Sequence, residues 1–138
     1  MMKSIRSQYE ENDISTFYKS GEYINPHLER VEYLLNNFKL KNQIINKRVL
    51  DLSCGNGEVS KIFMKDNIVE GNDPYTYKFY KEQLNLDCTN YTFNDIAFNN
   101  ISFNKYDYII CSYALHLCDN STLPLLLYKL SMITDNLV

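Results

Sequence analysis

Apolar residues recur along this chain with two different spacings, and the two alternate. Over residues 26–40 they fall at 28, 31, 34, 35 and 38, one face of a helix, with Asn25 suited to cap it and Pro26 to its first position. Residues 48–52 read as a strand, and 57–64 as a helix turning Val59, Ile62 and Phe63 inward. A second strand is expected over 67–71, stopped by Asn72-Asp73-Pro74, a turn signal. Residues 75–84 are helical by pattern, with Phe79, Tyr80 and Leu84 apolar, and 90–93 read as a short third strand. A fourth strand over 106–111 carries an unbroken Tyr-Ile-Ile-Cys run that fits burial on both faces. Ser121 then caps a helix to about residue 134 that buries Leu123, Leu126, Leu127, Leu130 and Ile133. The closing Asn-Leu-Val reads as the first residues of a fifth strand.

Strands alternating with helices imply crossover connections, hence an α/β protein with a mostly parallel sheet between two helical layers. Residues 1–25 are polar and Tyr-rich without a sustained period and read as an N-terminal arm; 26–138 read as one domain with no repeat or linker. A chain of 138 residues is long enough to bury a real core.

Charge narrows the partners. A formal net charge of −3 argues against a broad phosphate-binding face, so nucleic acid is not supported. Lys39, Lys41, Lys47 and Arg48 read as a solvated edge. No apolar run is long enough to span a bilayer, which argues against a membrane partner. Four cysteines (54, 88, 111, 118) behind a start without a secretory pattern read as reduced thiols, and the expected location is cytoplasmic.

The candidate chemistry begins at residues 49–57, Val-Leu-Asp-Leu-Ser-Cys-Gly-Asn-Gly. A buried strand runs into a loop of small residues that opens a helix, where unpaired N–H groups and missing Cβ atoms let a nucleotide-like ligand lie against the main chain. In an open parallel sheet the ligand sits beyond the C-terminal strand ends. There the successive strands deliver Asp51 with the Gly55 and Gly57 loop, then Asp73, then Asp95, then Cys111-Ser112-Tyr113. Asp73 stands about 20 residues beyond the loop, the distance at which an acid reaches ribose hydroxyls; turn chemistry before Pro74 is its bland alternative. Asp95 is balanced between a ligand and a helix or turn cap.

A dinucleotide needs neither Asp51 nor Asp95, and Ser60 stands where its loop pattern wants a glycine. A cation carrying an ammonium and an exocyclic amine has use for both acids. Here the sequence resembles the class I S-adenosylmethionine-dependent methyltransferases, through Val49–Gly57, Asn72-Asp-Pro-Tyr-Thr76, Phe93-Asn-Asp-Ile96 and Cys111-Ser-Tyr-Ala-Leu-His-Leu-Cys118, over roughly residues 22–138. The resemblance implies a Rossmann-like α/β/α fold, S-adenosylmethionine as cofactor with S-adenosylhomocysteine as product, and methyl transfer to an acceptor. It implies that Asp51 and the loop Ser53, Cys54, Gly55 and Asn56, running on to Gly57, hold the methionine part of the cofactor. Asp73, beside Pro74, takes the ribose, Asp95 and Ile96 the adenine, and Cys111 lines the methyl-transfer end. Tyr23 and His27 would close over the cofactor.

Two departures qualify the match. Ser53 replaces the first glycine of the family loop, so a positive φ there would carry strain. Class I folds have seven strands and this sequence ends as a fifth begins, so the expected fold is incomplete after its fourth strand and the following helix. A homo-oligomer or a partner subunit is then expected to cover the open sheet edge, and a non-catalytic methyltransferase-like subunit or interaction module is the alternative function. His116 reads as a packed residue or pocket wall, with a general-base role as its sharper reading. Cys111, His116 and Cys118 lack a fourth ligand, and no metal is expected.

Overall fold

The computed structural model describes residues 28–112 and 114–138. The arm at 1–25, Asn25, Pro26, His27 and Tyr113 lie outside the described residues. The elements run α1 (Leu28–Lys41), β1 (Arg48–Leu52), α2 (Glu58–Phe63), β2 (Ile68–Asn72), α3 (Tyr77–Leu84), β3 (Cys88–Thr89), α4 (Phe93–Phe98), β4 (Tyr108–Cys111), a 3₁₀ turn (Leu115–Leu117) and α5 (Leu123–Ser131). Among the described residues no helix is long and apolar enough to cross a membrane.

All strand pairs are parallel, in the order β3-β2-β1-β4. Side chains alternate across β1, so its two faces build two cores. Leu50 and Leu52 join Ile109 of β4 against Ile96 and Ala97 of α4 and Leu126 and Leu130 of α5. Val49 joins Val69 and Ile110 against Val31 and Leu35 of α1 and Val59 and Phe63 of α2. Each such buried side chain contributes about 1.5–3 kcal/mol, which is why β1 shows no exposed position and sits at the centre of the sheet.

The end of the chain runs beside β4. Ile109 and Leu137 form a parallel bridge. Val138 N donates to Ile109 O at 2.8 Å, and Cys111 N to Val138 O at 3.0 Å. The expected start of a fifth strand is therefore present, and it pairs part of the β4 edge.

Several boundaries differ from the sequence reading, each for a local reason. The third strand is Cys88–Thr89 rather than 90–93, because Thr92 and Asp95 form a capping box that recruits Phe93 into a helix. Beyond β3 the ladder is continued by the Asn72 side chain, which accepts from Tyr91 N at 2.9 Å and donates to Tyr91 O at 3.0 Å. The second strand starts one residue late because Asn67 uses its amide to tie Ile44 O and Phe63 O. α3 begins at Tyr77 because Asp73 Oδ1 accepts from Tyr75 N and Thr76 N, a turn that precedes the helix. The cap position of α5 is Thr122, not Ser121, and the helix ends at Ser131 rather than near 134. Leu126 and Leu130 are fully buried, whereas Leu127, expected inside, is exposed. Lys39 and Arg48 are not merely solvated: Lys39 pairs with Asp66 at 2.8 Å, and Arg48 with Glu70 at 3.1 Å.

Candidate functional site

The site lies where β1 and β2 end. Ser53, Gly55 and Gly57 all carry positive φ, at +58°, +55° and +87°. Three left-handed residues within five fold the backbone into a tight loop. Two of them are glycines that adopt it freely, and the third is the serine that stands for a glycine. A Cβ at Gly55 would meet only Glu58 Oε2, at 3.8 Å, so this part of the loop faces open space.

Gly57 is the cap residue of α2 and has no side chain to offer the helix's first N–H groups. Asp51 supplies what it lacks. Its Oδ2 accepts from Ser60 N at 3.1 Å and from Ser60 Oγ at 2.7 Å, so the end of β1 caps a helix across the loop. The carboxyl is 1% exposed. Burial raises its pKa to about 7; the Ser60 bonds oppose that, and the charges of Glu58 and Asp73 add to it.

Asp73 is the second buried acid. Its Oδ2 accepts from Gly55 N at 3.2 Å while Oδ1 takes the two N–H groups of its turn, so it fastens the loop to the end of β2. Burial raises its pKa against the pull of those three N–H groups. Cys54 N donates to Asn72 O at 3.1 Å, a second tie between loop and β2. Glu58, at the first helical position, is also raised by burial, and its carboxylate accepts from its own N–H and from that of Asn56.

The structure thus brings together Asp51, the loop from Ser53 to Gly57, and Asp73, with Pro74 half-buried beside it. Cys111 belongs to the same group: the Ser53 hydroxyl and the N–H groups of Ala114 and Leu115 face its thiol, which burial pushes up to about 12. Asp95 and Ile96 are used differently. Asp95 Oδ2 accepts from Thr92 N at 2.9 Å, closing the cap of α4, and the Ile96 side chain is in the core beneath. Tyr23 and the side chain of His116 lie outside the described residues.

Sequence reasoning missed Ser60, Tyr80, Glu58 and Asn72. Ser60 carried a signal, since it occupies a position where a dinucleotide loop has glycine. Tyr80 carried none beyond its place on an apolar helix face.

The charges of Glu58 and Asp73 both raise the affinity of Asp51 for a proton, which means the potential at the loop is negative. A doubly charged pyrophosphate is disfavoured in such a place, and a cationic ligand is favoured.

The fold is that of the class I S-adenosylmethionine-dependent methyltransferases. No family model matches the sequence, and no curated protein matches it; the likeness is to solved structures. The N-methyltransferase NodS of Bradyrhizobium japonicum, in complex with S-adenosylhomocysteine, superposes with a TM-score of 0.66 at 12% identity, over 80% of this chain and 58% of that one. Magnesium protoporphyrin IX methyltransferase of Synechocystis, with S-adenosylmethionine bound, gives 0.64 at 14% identity, over 97% of this chain and 74% of that one. CalS10, an amino pentose methyltransferase of Micromonospora echinaspora with S-adenosylmethionine bound, gives 0.62 at 12%, over 97% of this chain but 53% of that one. The chain therefore spans roughly half to three quarters of the length of these structures.

Proposed function

We propose that the chain binds S-adenosylmethionine at the Ser53–Gly57 loop and serves methyl transfer to an acceptor. The observation that carries this reading is the acidic loop: Asp51, Glu58 and Asp73 gather around backbone that Gly55 leaves open. That arrangement suits a ligand with a sulfonium and an ammonium, and it tells against a nicotinamide dinucleotide. The likeness of fold to methyltransferases with this cofactor or S-adenosylhomocysteine bound supports it further.

S-adenosylmethionine, when bound, supplies an electrophilic sulfonium methyl; the protein's part is to bind and orient it. Proximity alone can supply much of the acceleration of such a displacement. On this reading Asp51 acts by charge and by holding the loop, since its carboxyl is buried beneath it. Ser53, Cys54, Gly55 and Asn56 cradle the methionine part. Glu58 holds N–H groups for which the ligand's own carboxylate would compete. Asp73 Oδ2 accepts one N–H and so keeps a lone pair for a ribose hydroxyl. Asp95 and Ile96 stand nearest the adenine in this scheme, and Cys111 borders the methyl. Isothermal titration with S-adenosylmethionine and S-adenosylhomocysteine tests the proposal: micromolar binding is expected, and no heat at millimolar ligand would refute it.

A second reading, a methyltransferase-like subunit completed by another chain or by its own copy, has one observation in its favour. An apolar pocket of ≈ 320 Å³ opens between α1 and the β4 edge, lined by Val31, Leu35, Phe38, Ile110 and Val138. Light scattering on the purified protein separates the two: a cofactor-binding monomer supports the first, and a stable dimer without affinity for the cofactor supports the second.

A further inference from the structure

One side chain, Tyr80, packs against two glycines outside the open part of the loop. A Cβ at Gly71 on β2 would lie 2.7 Å from Tyr80 Cζ, and one at Gly57 would strike Leu84 Cδ1 and lie 3.3 Å from Tyr80 Cδ2. The Tyr80 ring is fully buried between the loop and β2, beside Cys54 and Cys88. Its hydroxyl lies 2.7 Å from Ser60 Oγ. Ser60 has one hydroxyl proton and gives it to Asp51, so Tyr80 must be the donor to Ser60. The result is a directed chain, Tyr80 to Ser60 to Asp51, running from α3 through α2 to the end of β1.

We propose that Tyr80 is a positioning residue for Asp51, acting through Ser60: the two hydroxyls hold the buried carboxylate in one orientation and keep it charged beneath the loop. Each donor in the chain polarises the next, so the pair stabilises the anion more than Ser60 would alone. The ionisable groups facing Asp51 are Glu58 from α2, Asp73 after β2, Cys54 in the loop, Cys111 of β4 and Tyr80 itself. None of these is a cation, which leaves hydroxyl and amide donors to offset burial. Tyr80 remains a donor throughout the working range because burial raises its own pKa. Asp51, raised to about 7, is poised where the loss of a donor changes its charge.

The consequence for ligand affinity rests on the S-adenosylmethionine reading, so the test has one arm that needs no ligand. Carbon-13 NMR titration of the Asp51 carboxyl is run on the parent, Ser60→Ala, Ser60→Thr, Tyr80→Phe and the Ser60→Ala/Tyr80→Phe double variant. Calorimetric titration with S-adenosylhomocysteine follows from pH 6 to pH 9. Losing a hydrogen bond to a charged group moves the Asp51 midpoint up by about one pH unit in Ser60→Ala and weakens binding about fivefold at pH 7. Tyr80→Phe shifts both in the same direction by less, Ser60→Thr restores them, and Tyr80→Phe adds nothing once Ser60 is gone. An Asp51 midpoint unmoved in both single variants overturns the inference, as does a loss of affinity that is equal at every pH. A parent protein that gives the NMR shifts but binds no S-adenosylhomocysteine refutes the cofactor reading and leaves the relay standing.

Discussion

Asp51 does two things that pull in opposite directions. Its carboxylate accepts two bonds from Ser60, yet burial makes the neutral form the one the fold tolerates better, and its pKa rises from 3.8 to about 7. The sign of the linkage follows. Between those two values the folded protein holds a proton that the unfolded chain has released, so the contribution of Asp51 is full below about pH 4 and is lost as pH rises through 7. Asp51→Asn carries no charge at any pH. Between pH 5 and pH 8 the variant is expected to lose less stability than the parent by on the order of 2 kcal/mol, the share of Asp51, while Asp73 and Glu58, also raised by burial, keep theirs. Urea unfolding midpoints of both proteins at the two pH values measure this; equal slopes would show that Asp51 is not the group responsible. At pH 8 the variant should be the more stable protein and the weaker binder of a cationic ligand, a conflict expected of a charge kept for a site.

Elements meet at this site through close packing of side chains on backbone, Tyr80 on Gly71 and Leu84 with Tyr80 on Gly57, and that makes two of its three glycines sensitive. Gly71→Ala puts a methyl 2.7 Å from Tyr80 Cζ and 2.9 Å from Cys54 Sγ, in a central strand that cannot shift. A loss of about 2–3 kcal/mol is expected. In a Tyr80→Leu background the same change should cost less than in the parent, since the ring contacts are gone and the Cys54 Sγ contact alone remains; additive losses in chemical denaturation would show that the ring is not what the methyl strikes. At the other end of the site, Thr92→Ala removes the cap of α4 and is expected to cost about 1 kcal/mol by the same measurement. These elements also mark what was legible in the sequence. β1 was read to the residue because Val49, Leu50 and Leu52 place apolar side chains on both faces of a strand that runs straight into the glycine loop. Residues 90–93 were read as a strand because Tyr91, Thr92 and Phe93 all favour one, and a single side-chain pair, Thr92 with Asp95, decides otherwise. The loop and its acids were visible because the chemistry is local to strand ends. The Asp51–Ser60–Tyr80 chain was not, because its bonds join positions 9 and 20 residues apart, and only the crossing of α2 and α3 over the sheet brings them together.

Across the whole molecule the net charge of −3 is modest, but its placement is not, because three carboxyl groups converge on one loop while Lys39 and Arg48 are committed to ion pairs elsewhere. Shape alone does not separate the cofactors a strand–loop–helix can hold, and charge does. A ligand that binds only the folded state stabilises it by RT ln(1 + [L]/Kd), about 2.7 kcal/mol at a hundredfold excess over Kd. For a domain of this size that corresponds to a rise in Tm on the order of 10 °C. S-adenosylmethionine and S-adenosylhomocysteine at saturation are expected to produce such a rise, and NAD at the same concentration none, because its pyrophosphate meets Asp51, Glu58 and Asp73. The difference between the two adenosyl ligands is itself informative. Only S-adenosylmethionine carries the sulfonium charge, so if the carboxyl groups act on that charge it gains more from a pH rise through 7 than S-adenosylhomocysteine does. Thermal scans of both complexes at pH 6 and pH 8 read that difference; equal gains would assign the acids to holding the loop alone.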